Sequence, residues 1–166
     1  MTMAADRPQA SGSLAQAAIA VVLVAAVAGL GFLAVVPNLG WYDGLAKPWF
    51  NPPNTVFGPA WTVLYLLMAF AFWRILGLPS GTPGRSIAIA LFLLQLALNL
   101  AWSFLFFAGR NPAAGLLDVL PQWALVVATL STFWSLDVFA GLCVLPLALW
   151  VTFAATLNFA IWRLNG

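Results

Sequence analysis

Residues 41–61 read WYDGLAKPWFNPPNTVFGPAW. The stretch lies between two long apolar runs. It concentrates Trp41, Trp49 and Trp61 with Pro48, Pro52, Pro53 and Pro59, and it holds Asp43 and Lys47 in a chain with few charges. Prolines at that density cannot continue a helix, because each fixes φ and lacks an N–H. The segment is read as an ordered connector outside the membrane spans. Rings and prolines lose little entropy on ordering, so it is expected to fold into a compact lid over a ligand pocket inside a helical membrane bundle. An aromatic belt that only anchors neighbouring helices at headgroup level would explain the tryptophans but not the prolines.

Composition sets the class around that connector. Of 166 residues, 64% are hydrophobic and 6% charged, against about 25% charged in a soluble domain. The mean hydropathy is +1.02. A chain this short cannot hide so much apolar surface in one water-soluble core, since small domains bury only about 60–70% of their surface. The solvent is lipid. A net charge of +2 with no basic stripe gives no footprint for nucleic acid. With no histidine and Cys143 as the single cysteine, an intrachain disulfide is impossible and transition-metal sites and His-dependent triads are excluded.

Working outward, residues 1–13 form a short polar arm, read as flexible, and residues 14–165 a single domain of five spans. The first span covers Leu14 to Val36, long enough for about 30 Å of hydrocarbon and too long for a signal-peptide core. Ala25, Gly29 and Gly31 offer small residues for close helix approach. Val56 to Trp73 follows the connector and is closed by Arg74, Gly77 and Pro79. Ile87 to Ala108 is the third span, Ala113 to Phe133 the fourth, interrupted by Pro121, and Val138 to Trp162 the fifth. The fold class is thus an all-α five-helix transmembrane bundle. Arg7, Arg74 and Arg85 fall on one side and Lys47, Arg110 and Arg163 on the other, so the positive-inside rule has no asymmetry to act on.

Polar and aromatic residues inside the spans fall on single helical faces. Gln95, Asn99, Trp102 and Phe106 share one; Asp118, Gln122, Leu125 and Thr129 another; Trp61, Tyr65, Met68 and Phe72 a third; Trp150, Ala154, Leu157 and Asn158 a fourth. Gln95, Asn99 and Gln122 taken singly read as helix–helix glue, at about 0.6 kcal/mol per hydrogen bond. The aromatic faces suit a flat, mostly apolar pocket better, because close packing favours small residues. Asp118 is expected to snorkel or to pair with Arg110. A proton relay would lack a partner, since the spans hold no second carboxylate and no histidine.

The runs WYDGLAKPWFNPP, FGPAWTVLYLLM, QLALNLAWSFLFF and LWVTFAATLNFAIWRLN resemble, in order and spacing, the TspO/translocator-protein family, which includes the tryptophan-rich sensory proteins of bacteria and the peripheral-type benzodiazepine receptor. The resemblance covers residues 14–165. It implies a multi-pass protein of a bacterial membrane, commonly a homodimer, whose first loop caps a pocket for porphyrins such as protoporphyrin IX, for benzodiazepine-site ligands or for sterols. Trp41, Tyr42, Lys47, Pro48, Asn51, Pro52 and Pro53 match the family's loop elements, and Trp61 and Tyr65 its second-helix motif. Asn99 and Trp102 match the third helix, Asp118 a fourth-helix aspartate, and Trp150, Ala154 and Asn158 the fifth-helix pocket, followed by Trp162 and Arg163. The ligand-binding set implied is therefore Trp41, Tyr42, Lys47, Trp61, Tyr65, Asn99, Trp102, Trp150, Ala154 and Asn158.

Two departures stand out. Pro146 is followed by Leu147 where the family often has tyrosine, and Phe159 replaces the central tyrosine of the sterol pattern, so sterol binding carries little weight. Trp61 and Trp150 are expected to stack on a macrocycle, with Lys47 or loop N–H groups meeting its propionates. Without an axial ligand the porphyrin is expected metal-free. No obligatory cofactor is implied. The leading function is a receptor or sensor that regulates tetrapyrrole handling or a stress response. A porphyrin or lipid transporter is the alternative, as is an enzyme for light-dependent porphyrin breakdown, in which Trp61 and Trp150 would be the catalytic pair. Gly29, Ala90 and Ala97 are candidates for the dimer face.

Overall fold

The computed structural model describes residues 13–166. Residues 1–12, nearly all of the expected polar arm, lie outside the described residues. Ser13, the last residue of that arm, is the N-cap of the first helix. Its hydroxyl accepts from Gln16 N at 3.3 Å while Gln16 Oε1 accepts from Ser13 N, which satisfies two donors that a helix start otherwise leaves open.

Among the described residues, five stretches are long and apolar enough to cross a membrane. The first comprises α1 (Leu14–Val35), a 3₁₀ turn (Val36–Asn38) and a short helix α2 (Leu39–Asp43). The others are α3 (Asn54–Leu76), α4 (Arg85–Ser103) continued by a π-helical turn (Phe104–Ala108), α5 (Pro112–Leu136) and α6 (Val138–Asn165). The protein is a multi-pass membrane protein with the expected five-helix architecture. Around the bundle the neighbours run α1, α3, α6, α5, α4 and back to α1.

The connector is shorter than the proline count suggests. Trp41, Tyr42 and Asp43 continue the first span as α2, and Asn54 to Trp61 already belong to α3, leaving Gly44 to Pro53 as the loop. Pro59 takes the helical donor away from the Thr55 carbonyl, yet α3 continues through it. Pro121 likewise does not interrupt α5, which is helical throughout. At the loop end the chain leaves α4 through the π turn, where Gly109 N reaches back to Phe104 O at 2.7 Å. It reverses at Arg110, whose φ is +49°, and restarts at Asn111. The Asn111 side chain caps α5 by accepting from Ala114 N, with Pro112 in the first turn.

The end of the bundle away from the connector loop is a packed core. Phe72 stacks on Phe92 at 4.3 Å and Phe92 on Phe133 at 5.8 Å, among Met68, Val126 and Val144, all buried. Lipid replaces water outside, so this packing, rather than burial of apolar area, holds the helices together.

Asp137 alone links α5 to α6. It caps α6 through Ala140 N at 3.0 Å and pairs with Arg74 at 2.8 Å. Burial pushes its carboxyl up, but the Arg74 hydrogen bond and charge with the Ala140 and Phe139 amides outweigh that and hold it below its usual value. A lowered folded value stabilises the fold above the unfolded carboxylate range, near pH 4, and the contribution is lost as pH falls through the folded value. Asp137→Asn keeps a capping side chain and removes the charge. It should cost about 1–2 kcal/mol at pH 7, and the difference from wild type should shrink as pH falls below about 4. Denaturant unfolding in detergent at several pH values reads this directly; a difference that does not change with pH would remove the ion pair as its cause.

Candidate functional site

A cavity of about 450 Å³ lies at the loop end of the bundle, within the range usual for small-molecule pockets. Four helices wall it, each with one stripe. On α3, Phe57, Trp61 and Tyr65 succeed one another at intervals of four; on α6, Trp150, Phe153, Ala154, Leu157 and Asn158 occupy two turns. Trp102 and Ser103 at the end of α4 and Phe106 in the π turn form the third wall, and Ala28, Gly31, Phe32 and Val35 of α1 the fourth. Tyr42 of α2 closes the loop end.

Buried hydrogen bonds set these rings. The Tyr65 hydroxyl donates to Asn99 Oδ1 at 2.9 Å. Trp102 Nε1 donates to Asn158 Oδ1 at 2.9 Å, and Asn158 Nδ2 donates to the Pro112 carbonyl at 2.8 Å. One amide thereby ties α4, α5 and α6 together beside the cavity. Gly115 makes room for it: a Cβ there would lie 2.9 Å from Asn158 Oδ1 and 2.9 Å from Phe106. Trp102 stacks on Phe106 at 4.9 Å, whereas Trp61 and Trp150 meet edge to face at 6.5 Å and 83°. A flat ligand can therefore lie face-on to only one of these two indoles.

Of the ten residues expected to bind ligand, Tyr42, Trp61, Tyr65, Trp102, Trp150, Ala154 and Asn158 line this one cavity. Trp41, Lys47 and Asn99 stand behind it. Trp41 packs edge-on against Phe106 at 5.6 Å, and Asn99 holds the Tyr65 hydroxyl from beneath. Lys47 Nζ donates to the Asp43 and Leu45 carbonyls at 3.0 and 3.2 Å and sits 4.7 Å over the Tyr42 ring, so two of its three protons are taken by nearby carbonyls. The loop covers this end through Leu45 and Phe50, which pack on the cluster of Tyr42, Phe106, Phe107, Leu157 and Ile161. Trp49 projects outward, 96% exposed, as an interfacial anchor would.

Other expectations are redirected. The face of α5 bearing Asp118, Gln122 and Thr129 is buried in the bundle and contributes nothing to the cavity. Asp118 does not pair with Arg110: its Oδ2 is buried without a hydrogen-bond partner among the described residues, while Arg110 Nε donates to Asn38 Oδ1 at 3.2 Å. Met68 and Phe72 continue the α3 stripe into the core and not into the cavity. Phe57 and Phe153 were missed. Phe57 lies one turn before Trp61, so extending the stripe backward finds it, whereas the α1 wall gives no signal in a uniformly apolar span.

The TspO/MBR family pattern matches residues 18–163. The chain is 43% identical to the tryptophan-rich sensory protein of Cereibacter sphaeroides over 75% of its length and 77% of the relative's. It is 41% identical to the tryptophan-rich protein TspO of Archaeoglobus fulgidus over 90% and 95% of the two chains. With the translocator protein of Homo sapiens it shares 35% identity over 77% of this chain and 76% of that one. The chain belongs to the TspO/MBR family.

Proposed function

We propose that this protein is a membrane receptor that takes a flat, largely apolar ligand of the porphyrin class, with protoporphyrin IX as the type, into the ring-lined cavity. The same cavity suits compact aromatic ligands of the benzodiazepine-site type. The observation that carries the reading is the convergence of Trp61, Tyr65, Trp102, Phe106 and Trp150 from three helices on one space with few polar atoms. Occupancy would signal tetrapyrrole status in a bacterial membrane. Exposed small residues at Gly29, Ala90 and Ala97 favour a homodimer through α1 and α4, since such residues let helices approach closely.

Titration with protoporphyrin IX in the dark tests the proposal. Wild type should show saturable binding. Trp150→Phe and Trp61→Phe should each weaken it about twofold to tenfold, because an aromatic pair contributes about 0.5–1.5 kcal/mol beyond burial. No saturable binding by wild type would sink the porphyrin reading. Light-driven breakdown of the bound porphyrin is a second reading, favoured by the edge contact between the two indoles. New pigment absorbance that appears only under illumination, and only with both tryptophans present, would support it.

A further inference from the structure

We infer that the cavity is filled from the bilayer, through a slit between α1 and α3, and not through the loop from water; the inference rests on the ligand-binding reading above. Most residues that line the cavity from α4, the π turn and α6 are buried or half-buried. Those that are both cavity-lining and exposed are Phe32 on α1, Leu39 on α2, and Asn54, Gly58 and Thr62 on α3. A residue that lines a cavity and also meets the outside stands at the rim of an opening.

The rim residues form two facing lines. Asn54, Gly58 and Thr62 recur every fourth residue along α3, and Phe32, 63% exposed, faces them from the first span. From Asn54 to Thr62 the helix rises about 12 Å, so the slit extends from the interface into the hydrocarbon. Gly58 leaves it open: among the described residues nothing lies within 4 Å of where its Cβ would be, and the Thr62 hydroxyl is turned back to the Gly58 carbonyl at 2.9 Å. On the other flank of α3 an apolar groove against α6 comes close to the same cavity, but the two residues that line both, Trp150 and Phe153, are half-buried and not exposed like the α1–α3 rim.

The watery end is fastened. Asn165, at the end of α6, accepts from Ala46 N at 2.9 Å and donates to Ala46 O at 2.9 Å, holding both backbone groups of one loop residue. The Tyr42 hydroxyl donates to Asn51 Oδ1 at 2.8 Å and Asn54 Nδ2 to Asp43 Oδ1 at 2.6 Å. A ligand coming from water would have to break these bonds, whereas one dissolved in the membrane need only displace Phe32. The ligand class that follows is amphiphilic and bilayer-partitioned: its apolar plane passes the slit while its polar groups stay near Asn54 at the interface.

The protein reconstituted in vesicles tests this with variants of opposite sign. Gly58→Leu, which narrows the slit, should slow protoporphyrin association and dissociation about tenfold, and Phe32→Ala should speed both. Asn165→Ala, which unfastens the loop, should leave both rates within about twofold of wild type. A second readout needs no porphyrin. With Cys143→Ser as background, Ala154→Cys places one thiol on the cavity wall. A membrane-soluble alkyl maleimide should label it faster than a charged, water-restricted thiol reagent, and Gly58→Leu should slow that labelling. If Asn165→Ala accelerates exchange or labelling while Gly58→Leu changes neither, the loop is the door and the inference is overturned. Slit-dependent labelling in a protein that binds no porphyrin would keep the access route and reject the ligand.

Discussion

Asn158→Leu should cost about 1–3 kcal/mol of stability and weaken protoporphyrin binding about tenfold. The average interhelical hydrogen bond in a membrane contributes only about 0.6 kcal/mol, because a polar group freed in a bundle usually finds another partner. Asn158 differs in joining three helices at once, 1% exposed. Leucine fits the volume but leaves Trp102 Nε1 unpaired beside the cavity and takes from the Pro112 carbonyl its side-chain donor, and an unpaired buried group costs about 1–3 kcal/mol. Trp102 would also lose the bond that fixes its plane against Phe106, so the cavity wall should change along with stability. Trp102→Phe removes the donor alone and should cost less than Asn158→Leu. Denaturant unfolding in detergent beside a porphyrin titration separates the two effects. Wild-type unfolding for Asn158→Leu would mean that the amide bridges nothing of consequence.

Gly141→Val should destabilise by about 3 kcal/mol or more, through the backbone rather than through a lost bond. Gly141 sits in the first turn of α6, where the chain has just reversed at Asp137. A Cβ there would lie 2.7 Å from Trp134 Cα and 2.9 Å from Trp134 N. Those are main-chain atoms of α5 and cannot swing aside as a flexible side chain could. Gly141→Ala should fall between wild type and valine. The site is at the end of the bundle opposite the cavity, so the fraction that folds should bind porphyrin with wild-type affinity. Reduced affinity in that fraction would show the two ends to be coupled.

Much of the fold is legible in the residues because lipid makes contrast. Against uniformly apolar spans, Arg74 with Gly77, the GRNP turn and Asp137 mark where helices stop, and Trp61, Tyr65, Trp150 and Asn158 stand out as inward-facing. What periodicity supplies is a face, never the neighbour opposite it. Asp118 and Gln122 share a face as clear as that of Trp150, yet theirs lies in the core and not on the cavity. The contribution of α1 was illegible for the opposite reason: Phe32 and Val35 differ too little from the rest of their span to signal a wall. The helical state of Trp41–Asp43 was masked by the prolines that follow, which begin only at Pro48. Lys47 reads as a free cation until nearby carbonyls are seen to take two of its three protons.

The one-residue join between α5 and α6 also bears on how the protein is made. α5 has the lowest hydropathy of the five spans, 1.6 against 2.2 for α6, and it carries Asp118, a residue that resists partitioning into lipid. With only Asp137 between them, the two segments are expected to leave the insertion machinery as one hairpin. The surplus apolarity of the last span then offsets the deficit of the fourth, the span that carries Asp118.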